Sequence, residues 1–305
     1  MAINADTLLD RLYLKSQITK WRVLAVIFAV IALVVAFERY SMHSPIEKDY
    51  VARLSFDGII DDDRKVYDLI DDIGDNNKVK AVIVWLDTPG GSAVGGEEIY
   101  LRLRTLSEKK PVVAVMRSIA ASAGYLVALG TDHILARDGT ITGSIGVLIE
   151  TAEVTELAAK LGIKPIIIKS SPLKGSPSPF EKETPESDRA IHDVIGDFYT
   201  RFVDIVAERR KLPHDTVVQL ADGRVYSGRR ALDDKLIDAI GGEDEAMKWL
   251  EDEKHIRKGL DIKDVKVEEE NSLLDQLTQS VAGKFFQRSS VTLDGLLAMW
   301  HPHLH

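Results

Sequence analysis

The strongest constraint in this sequence is a succession of short, predominantly apolar runs beginning at residue 50. VARLSF (51–56), AVIVWL (81–86), VVAVM (112–116), HILA (133–136) and PIIIK (165–169) are rich in Val, Ile and Leu at consecutive positions. Strands apolar at successive positions are buried on both faces, and such strands belong to parallel sheets covered by helices. Helical spacing fills the gaps, with Val66, Leu69, Ile70 and Ile73 on one stripe and a second helix over about residues 92–106. Further on, Thr184-Pro185-Glu186 supplies an N-cap, a first-turn proline and an acid at the positive dipole end. Ile191, Val194, Ile195, Phe198, Phe202, Ile205 and Val206 continue as one stripe expected to be core, and Pro213 ends the helix. The expected fold class is α/β, a parallel sheet with flanking helices.

Composition narrows the function. Of 305 residues, 45% are hydrophobic and 29% charged, as in an ordinary globular protein. The net charge of -9 argues against a nucleic-acid partner, because phosphate binding needs clustered Lys and Arg. Cysteine is absent, which removes disulfides, thiolate nucleophiles and Cys-ligated metals.

Residues 23–37, VLAVIFAVIALVVAF, carry no charge and are flanked by Trp21-Arg22 and Glu38-Arg39-Tyr40. With arginines snorkelling and aromatics at the interfaces, this run is expected to be a single transmembrane anchor over residues 23–40 in the lipid bilayer, the alternatives being a cleavable signal peptide and a buried core helix. Arg11, Lys15, Lys20 and Arg22 precede it, so residues 1–22 are expected in the cytoplasm and the rest on the extracytoplasmic side of an inner membrane. The main globular domain is expected over residues 50–260. Residues 261–305 then read as a linker with Glu268-Glu269-Glu270, followed by an amphipathic face of Leu274, Leu277, Val281 and Phe285 that suits self-association, the membrane surface or docking on its own domain, the first being preferred.

Small-residue segments at the ends of apolar runs are where parallel sheets place their sites. Thr88-Pro89-Gly90-Gly91 can turn with its N–H groups exposed, and Ser122 lies among Ala120, Ala121, Ala123 and Gly124, where its hydroxyl is reachable. A serine at a helix start is equally a plain N-cap. No histidine suits it as a base: His133 opens a strand, His192 lies on a helix, and His301, His303 and His305 sit in the tail. Lys174 lies in the loop segment SSPLKGSP (170–177), within a stretch free of acids from 157 to 180. A lysine base near neutral pH must fall about three units from ~10.4, which burial and neighbouring cations favour. An exposed loop lysine is the plainer alternative.

Five motifs in order, TPGG (88–91), SIAASAGY (118–125), TGSIGV (142–147), KGSP (174–177) and ADGRVYSGRRALDDKLID (221–238), resemble the signal peptide peptidase A family. These are membrane-anchored Ser-Lys serine endopeptidases of the Clp protease and crotonase fold group. The resemblance implies Ser122 as nucleophile, Lys174 as general base, and an oxyanion hole from the N–H groups of Gly91 and Ala123, with Gly90 shaping the turn. It further implies that Ser144 orients the lysine, that no metal or cofactor is needed, and that the partners are signal peptides and further copies of the chain in a ring. Thr88 stands where the family more often has serine.

Four other readings compete. A crotonase-like acyl-CoA enzyme could use Glu97 and Glu98 after the glycine turn. An α/β-hydrolase elbow resembles residues 120–124, although four residues separate VVAVM from Ala121 and no histidine partner is evident. Ser171 with Lys174 makes an S-x-x-K pair lacking its companion motifs. The last is an inactive anchored scaffold.

Overall fold

The computed structural model describes residues 20–30, 33, 48–267 and 297–299. The chain divides into two compact units, residues 1–48 and 49–305. In the first, residues 20–30 form helix α1, with Ile27 and Phe28 exposed. Among the described residues no helix is long and apolar enough to cross a membrane. The expected anchor lies partly outside the described residues, and the face of Leu274, Leu277, Val281 and Phe285 and the tail histidines lie wholly outside them.

Among the described residues, the second unit is organised by one nine-stranded sheet. In chain order its strands are β1 (Tyr50–Ile60), β2 (Val79–Ser92), β3 (Val112–Ala121), β4 (His133–Ala136), β5 (Ile141–Gly143), β6 (Val225–Ser227), β7 (Ala239–Ile240), β8 (Asp261–Val265) and β9 (Leu297–Met299). β3, β2, β1 and β8 lie side by side and parallel. Side chains alternate between two buried faces: Val82, Val84 and Leu86 enter one core and Ala81 and Ile83 the other. Each such aliphatic side chain removed from water contributes ~1.5–3 kcal/mol. The helices are α2 (Arg64–Asp75), α3 (Ala93–Lys109), α4 (Ala123–Leu129), α5 (Thr155–Lys160), α6 (Pro185–Arg210), α7 (His214–Leu220), α8 (Gly228–Asp233) and α9 (Glu243–Asp252). The first core is closed by α2, α3, α4 and α6 through Ile70, Leu103, Leu126 and Phe202. α9 closes the second through Ala246 and Leu250.

Three expectations are corrected. The sheet is mixed rather than parallel, because β5 pairs antiparallel with β6 and β2 with β9. Residues 261–265, expected in a linker, form β8 beside β1; its polar, exposed composition belongs to a sheet edge. PIIIK is not a strand: residues 164–169 join no sheet among the described residues, and Ile166 and Ile168 are 86% and 94% exposed.

The helix starts follow the sequence closely. Asp63 caps α2 by accepting from Lys65 N–H at 2.9 Å, Ser92 caps α3 through Gly95 N–H at 3.2 Å, and Thr184 caps α6 through Ser187 N–H at 3.1 Å with Pro185 next. Along α6, only the second half of the expected stripe is core. Phe202, Val203, Ile205 and Val206 are buried, while Val194 is exposed.

Candidate active site

β3 continues through Ala121 and α4 begins at Ala123, so Ser122 is the single residue joining strand to helix. The sequence objection that four residues separate strand from elbow is thereby removed. The outer edge of β3 is divided: β4 pairs with residues 113–116 and β5 with residues 119–121. This division lets the end of β3 pair with β5 at the point where the chain must turn.

Ser122 has φ 54° and ψ -118°, a conformation that normally requires glycine. Holding a serine there costs about 1–3 kcal/mol, and the surroundings hold it firmly. Its N–H donates to Gly143 O at 2.8 Å and its C=O accepts from Leu126 N–H at 3.0 Å. The hydroxyl makes no cap hydrogen bond to α4, so the plain N-cap reading fails. Ser122 is 1% exposed, among the buried residues Ala120, Ala121 and Ala123.

Small residues make the tight junction possible. A Cβ on Gly124 would lie 2.7 Å from Thr88 Cγ2, and one on Gly96 3.0 Å from Ala123 Cβ. Ala123, as first residue of α4, has an N–H with no intrahelical acceptor. Residues 90 and 91 form the end of β2, where a Cβ on Gly91 would collide with the Ile60 backbone of β1. Thr88 is fully buried, and its Oγ1 accepts from Gly90 N–H at 3.1 Å. That bond occupies the Gly90 donor. A threonine hydroxyl does this as a serine would, a role the sequence motif did not disclose.

Ser144 follows Gly143, which is paired with Ala121, so the two serines leave neighbouring strands side by side. Ser144 is buried, has φ 50°, and donates its N–H to Arg224 O at 2.8 Å. The motif over residues 221–238 frames this region. Tyr226 OH donates to Leu220 O at 2.7 Å, and Asp238 accepts from Ile134 N–H at 2.8 Å while pairing with Arg210. Tyr125, wholly buried, donates to Leu236 O at 2.8 Å, and burial raises its phenol far above the ordinary range, so it stays a neutral donor.

Lys174 is not joined to this cluster within the chain. It is exposed, in a turn where its N–H donates to Ser171 O at 3.2 Å. Among the described residues its ammonium has no hydrogen-bond or ion-pair partner. Earlier in the same stretch of chain, Leu157, Leu161, Ile163, Ile166 and Ile168 expose apolar surface. A cleft of about 450 Å³ lies nearby, lined by Glu153, Lys169, Pro177, Glu181 and Ser187, and does not include Ser122.

The rival residues are otherwise employed. Glu97 pairs with Arg201 at 3.2 Å and Glu98 with Arg102 at 3.8 Å. Ser171 is exposed, and its φ is not among the positive values that mark Ser122 and Ser144. His133 stacks on Trp249 at 4.7 Å, and no described histidine hydrogen-bonds Ser122.

Comparison with known proteins supplies relatives for this arrangement. A Synechocystis protein named as a protease is 42% identical over 176 residues, covering 57% of this chain and 63% of that protein. An Enterococcus faecium protein named as a signal peptide peptidase SppA is 35% identical over 185 residues, covering 60% and 54%. The chain thus spans a little over half the length of these relatives. Among solved structures, a mutant of the 1510-N membrane-bound stomatin-specific protease aligns with a TM-score of 0.47 and 18% identity, over 72% of this chain and 98% of that one. Residues 104–257, which include Ser122, Ser144 and Lys174, match the profile of peptidase family S49, and the chain belongs to that family.

Proposed function

We propose that this chain is a membrane-anchored serine endopeptidase that cuts extended peptides, remnant signal peptides among them, through Ser122 and Lys174. The observation that carries the reading is Ser122 itself: buried, held at φ 54°, and with its hydroxyl uncommitted at the start of α4. Strain of this kind persists where a nucleophile must be presented rather than packed.

In the proposed reaction the neutral Lys174 amine accepts the Ser122 proton as Oγ bonds to the peptide carbonyl carbon. The Gly91 and Ala123 N–H groups hold the resulting oxyanion, each worth roughly 2.7–4 kcal/mol in comparable sites. The lysine ammonium then protonates the leaving amine as the C–N bond breaks, and water repeats the cycle on the acyl-enzyme. Ser144, beside Ser122, is the group proposed to orient the lysine.

Lys174 serves this role across a subunit boundary. Its exposed turn and the bare apolar surface of residues 157–168 support a second copy of the chain packing there, in a ring that desolvates the amine and carries it to a neighbour's Ser122. Helical residues 20–30, apolar from Val23 onward, support the anchor, with the peptidase unit on the extracytoplasmic side.

The test is active-site labelling of the full chain in detergent with a fluorophosphonate. Mass spectrometry is expected to find the adduct on Ser122 and none in Ser122→Ala. An adduct on Ser171, or no adduct in an assembled protein, overturns the proposal.

A further inference from the structure

α4 carries two of the groups the proposed chemistry uses, Ser122 just before its first residue and the N–H of Ala123. It is only seven residues long, ~10 Å from end to end, so whatever holds it lengthwise decides where those groups sit. Its sides are smooth. α3 runs beside it in close contact at both ends: a Cβ on Gly96 would lie 3.0 Å from Ala123 Cβ, and one on Gly130 2.9 Å from Leu103 Cβ. Leu126, Val127 and Leu129 are buried in the core. Such apolar contact fixes how near the helix lies, but it is non-directional and resists a slide along the axis only weakly.

The lengthwise hold comes from the far end. There three successive carbonyls accept hydrogen bonds from side chains of two other helices. Arg209 of α6 donates from Nε to Leu129 O and from Nη2 to Thr131 O, each at 2.9 Å. Between them, Gly130 O accepts from Arg104 Nη1 at 3.1 Å and from Ser107 Oγ at 3.2 Å, both on α3. Leu129 and Thr131 are 1% and 2% exposed, so their carbonyls depend on these donors rather than on water. The position is a costly one for a cation, since burial and the Arg104 charge both hold the Arg209 guanidinium below its ordinary range.

We infer that Arg209, assisted by Arg104, is a positioning residue for the peptidase reaction: by holding the carbonyl end of α4 it sets the place of Ser122 Oγ and the Ala123 N–H at the other end. The inference rests on the proposed role of Ser122. Helices packed through apolar faces shift by ~1–2 Å when their contacts change, and a misplacement of ~1 Å can cost a reaction about 100-fold.

Three variants of the full chain in detergent test this against the parent. Arg209→Met keeps the aliphatic stem and removes the donors, whereas Arg209→Lys keeps a charge that can serve one carbonyl at a time. Arg53→Met removes ion pairs to Glu243 and Asp264 on the α9 side of the sheet, a control for general loss of stability. With a synthetic signal peptide, well below the melting temperature, kcat is expected to fall about 100-fold in Arg209→Met and about tenfold in Arg209→Lys. KM should stay within about twofold, because the oxyanion contact is made only in the transition state. Fluorophosphonate labelling of Ser122 should slow in the same order, while Arg53→Met keeps the parental kcat. If Arg209→Met does not fold, Arg209→Lys decides alone. Parental kcat and labelling in Arg209→Lys overturn the inference, as does an equal fall in Arg53→Met, and both leave the serine's role standing. No Ser122 adduct in the parent itself removes the serine's role and the inference with it.

Discussion

The strand-to-helix junction at Ser122 and the segment carrying Lys174 differ in almost every physical respect. Around Ser122 the backbone is bonded on both sides, the neighbours are buried, and glycines sit where a methyl would not fit. Around Lys174 the chain forms turns, pairs with no strand, and exposes isoleucines. The first region is finished within one chain; the second has the composition of a surface waiting for a partner. The difference teaches that the fold alone holds Ser122 in place, whereas Lys174 needs the proposed assembly to reach it.

The largest expected effect tests that division directly. Ser122→Ala and Lys174→Ala should each lower peptide hydrolysis by at least about 10⁴-fold, as removal of a nucleophile or its base does. If Lys174 acts on a neighbour, mixing the two inactive chains under exchange conditions restores activity, because some interfaces then combine an intact serine with an intact lysine. A dyad completed within one chain predicts no restoration.

A smaller effect concerns the junction alone. Gly91→Ala places a methyl against the Ile60 backbone, where neither strand can yield. A loss of about 3 kcal/mol, at the upper end of ordinary single substitutions, is expected in denaturant titration, together with slower labelling of Ser122. Glycine and serine exchange roles at the neighbouring site. Ser122→Gly should raise stability by about 1–3 kcal/mol, because glycine adopts φ 54° without strain. Its midpoint in a thermal melt should therefore exceed that of Ser122→Ala.

In the apolar segment the signs differ. Ile166→Ser with Ile168→Ser should leave the thermal melt of the dissociated chain within about 0.5 kcal/mol of the parent, since both side chains are already in water. Sedimentation should show the assembled species lost. An unchanged assembly would mean that this face is not the contact.

These contrasts also explain what the sequence disclosed. Consecutive apolar residues marked β2 and β3 because both faces of those strands are covered, and Thr184-Pro185 marked α6 because capping is local chemistry. The same rule misread PIIIK, since a run of isoleucines looks identical in sequence whether the fold covers it or leaves it exposed. β8 escaped because DIKDV, an edge strand, is mostly polar. Ser122 was legible from its small neighbours, whereas its backbone strain was not, as no glycine stands there to announce a positive φ. Asp238 acts through hydrogen bonds to Ile134 and Arg210, residues distant in sequence, and no spacing records that.

The smallest effect separates the two regions by acid. His133, on β4 beside β3, stacks on Trp249 and is surrounded by Asp238, Arg210, Lys254 and Glu253. Burial holds its imidazole below the usual histidine range, with the Asp238 charge opposing. Above a pH of about 6.5 the residue is neutral in folded and unfolded chains alike and contributes no pH dependence. As pH falls through that value the unfolded chain takes up a proton that the folded chain resists, so stability declines until the lower folded value is passed and then levels off. His133→Phe keeps an aromatic ring against Trp249 and removes the titration. Its melting temperature is expected to depend less on pH between 7 and 5 than the parent's, while the pH dependence of Ile166→Ser stays parental. Equal slopes in the parent and His133→Phe would mean that the acid response of the buried scaffold originates in another group.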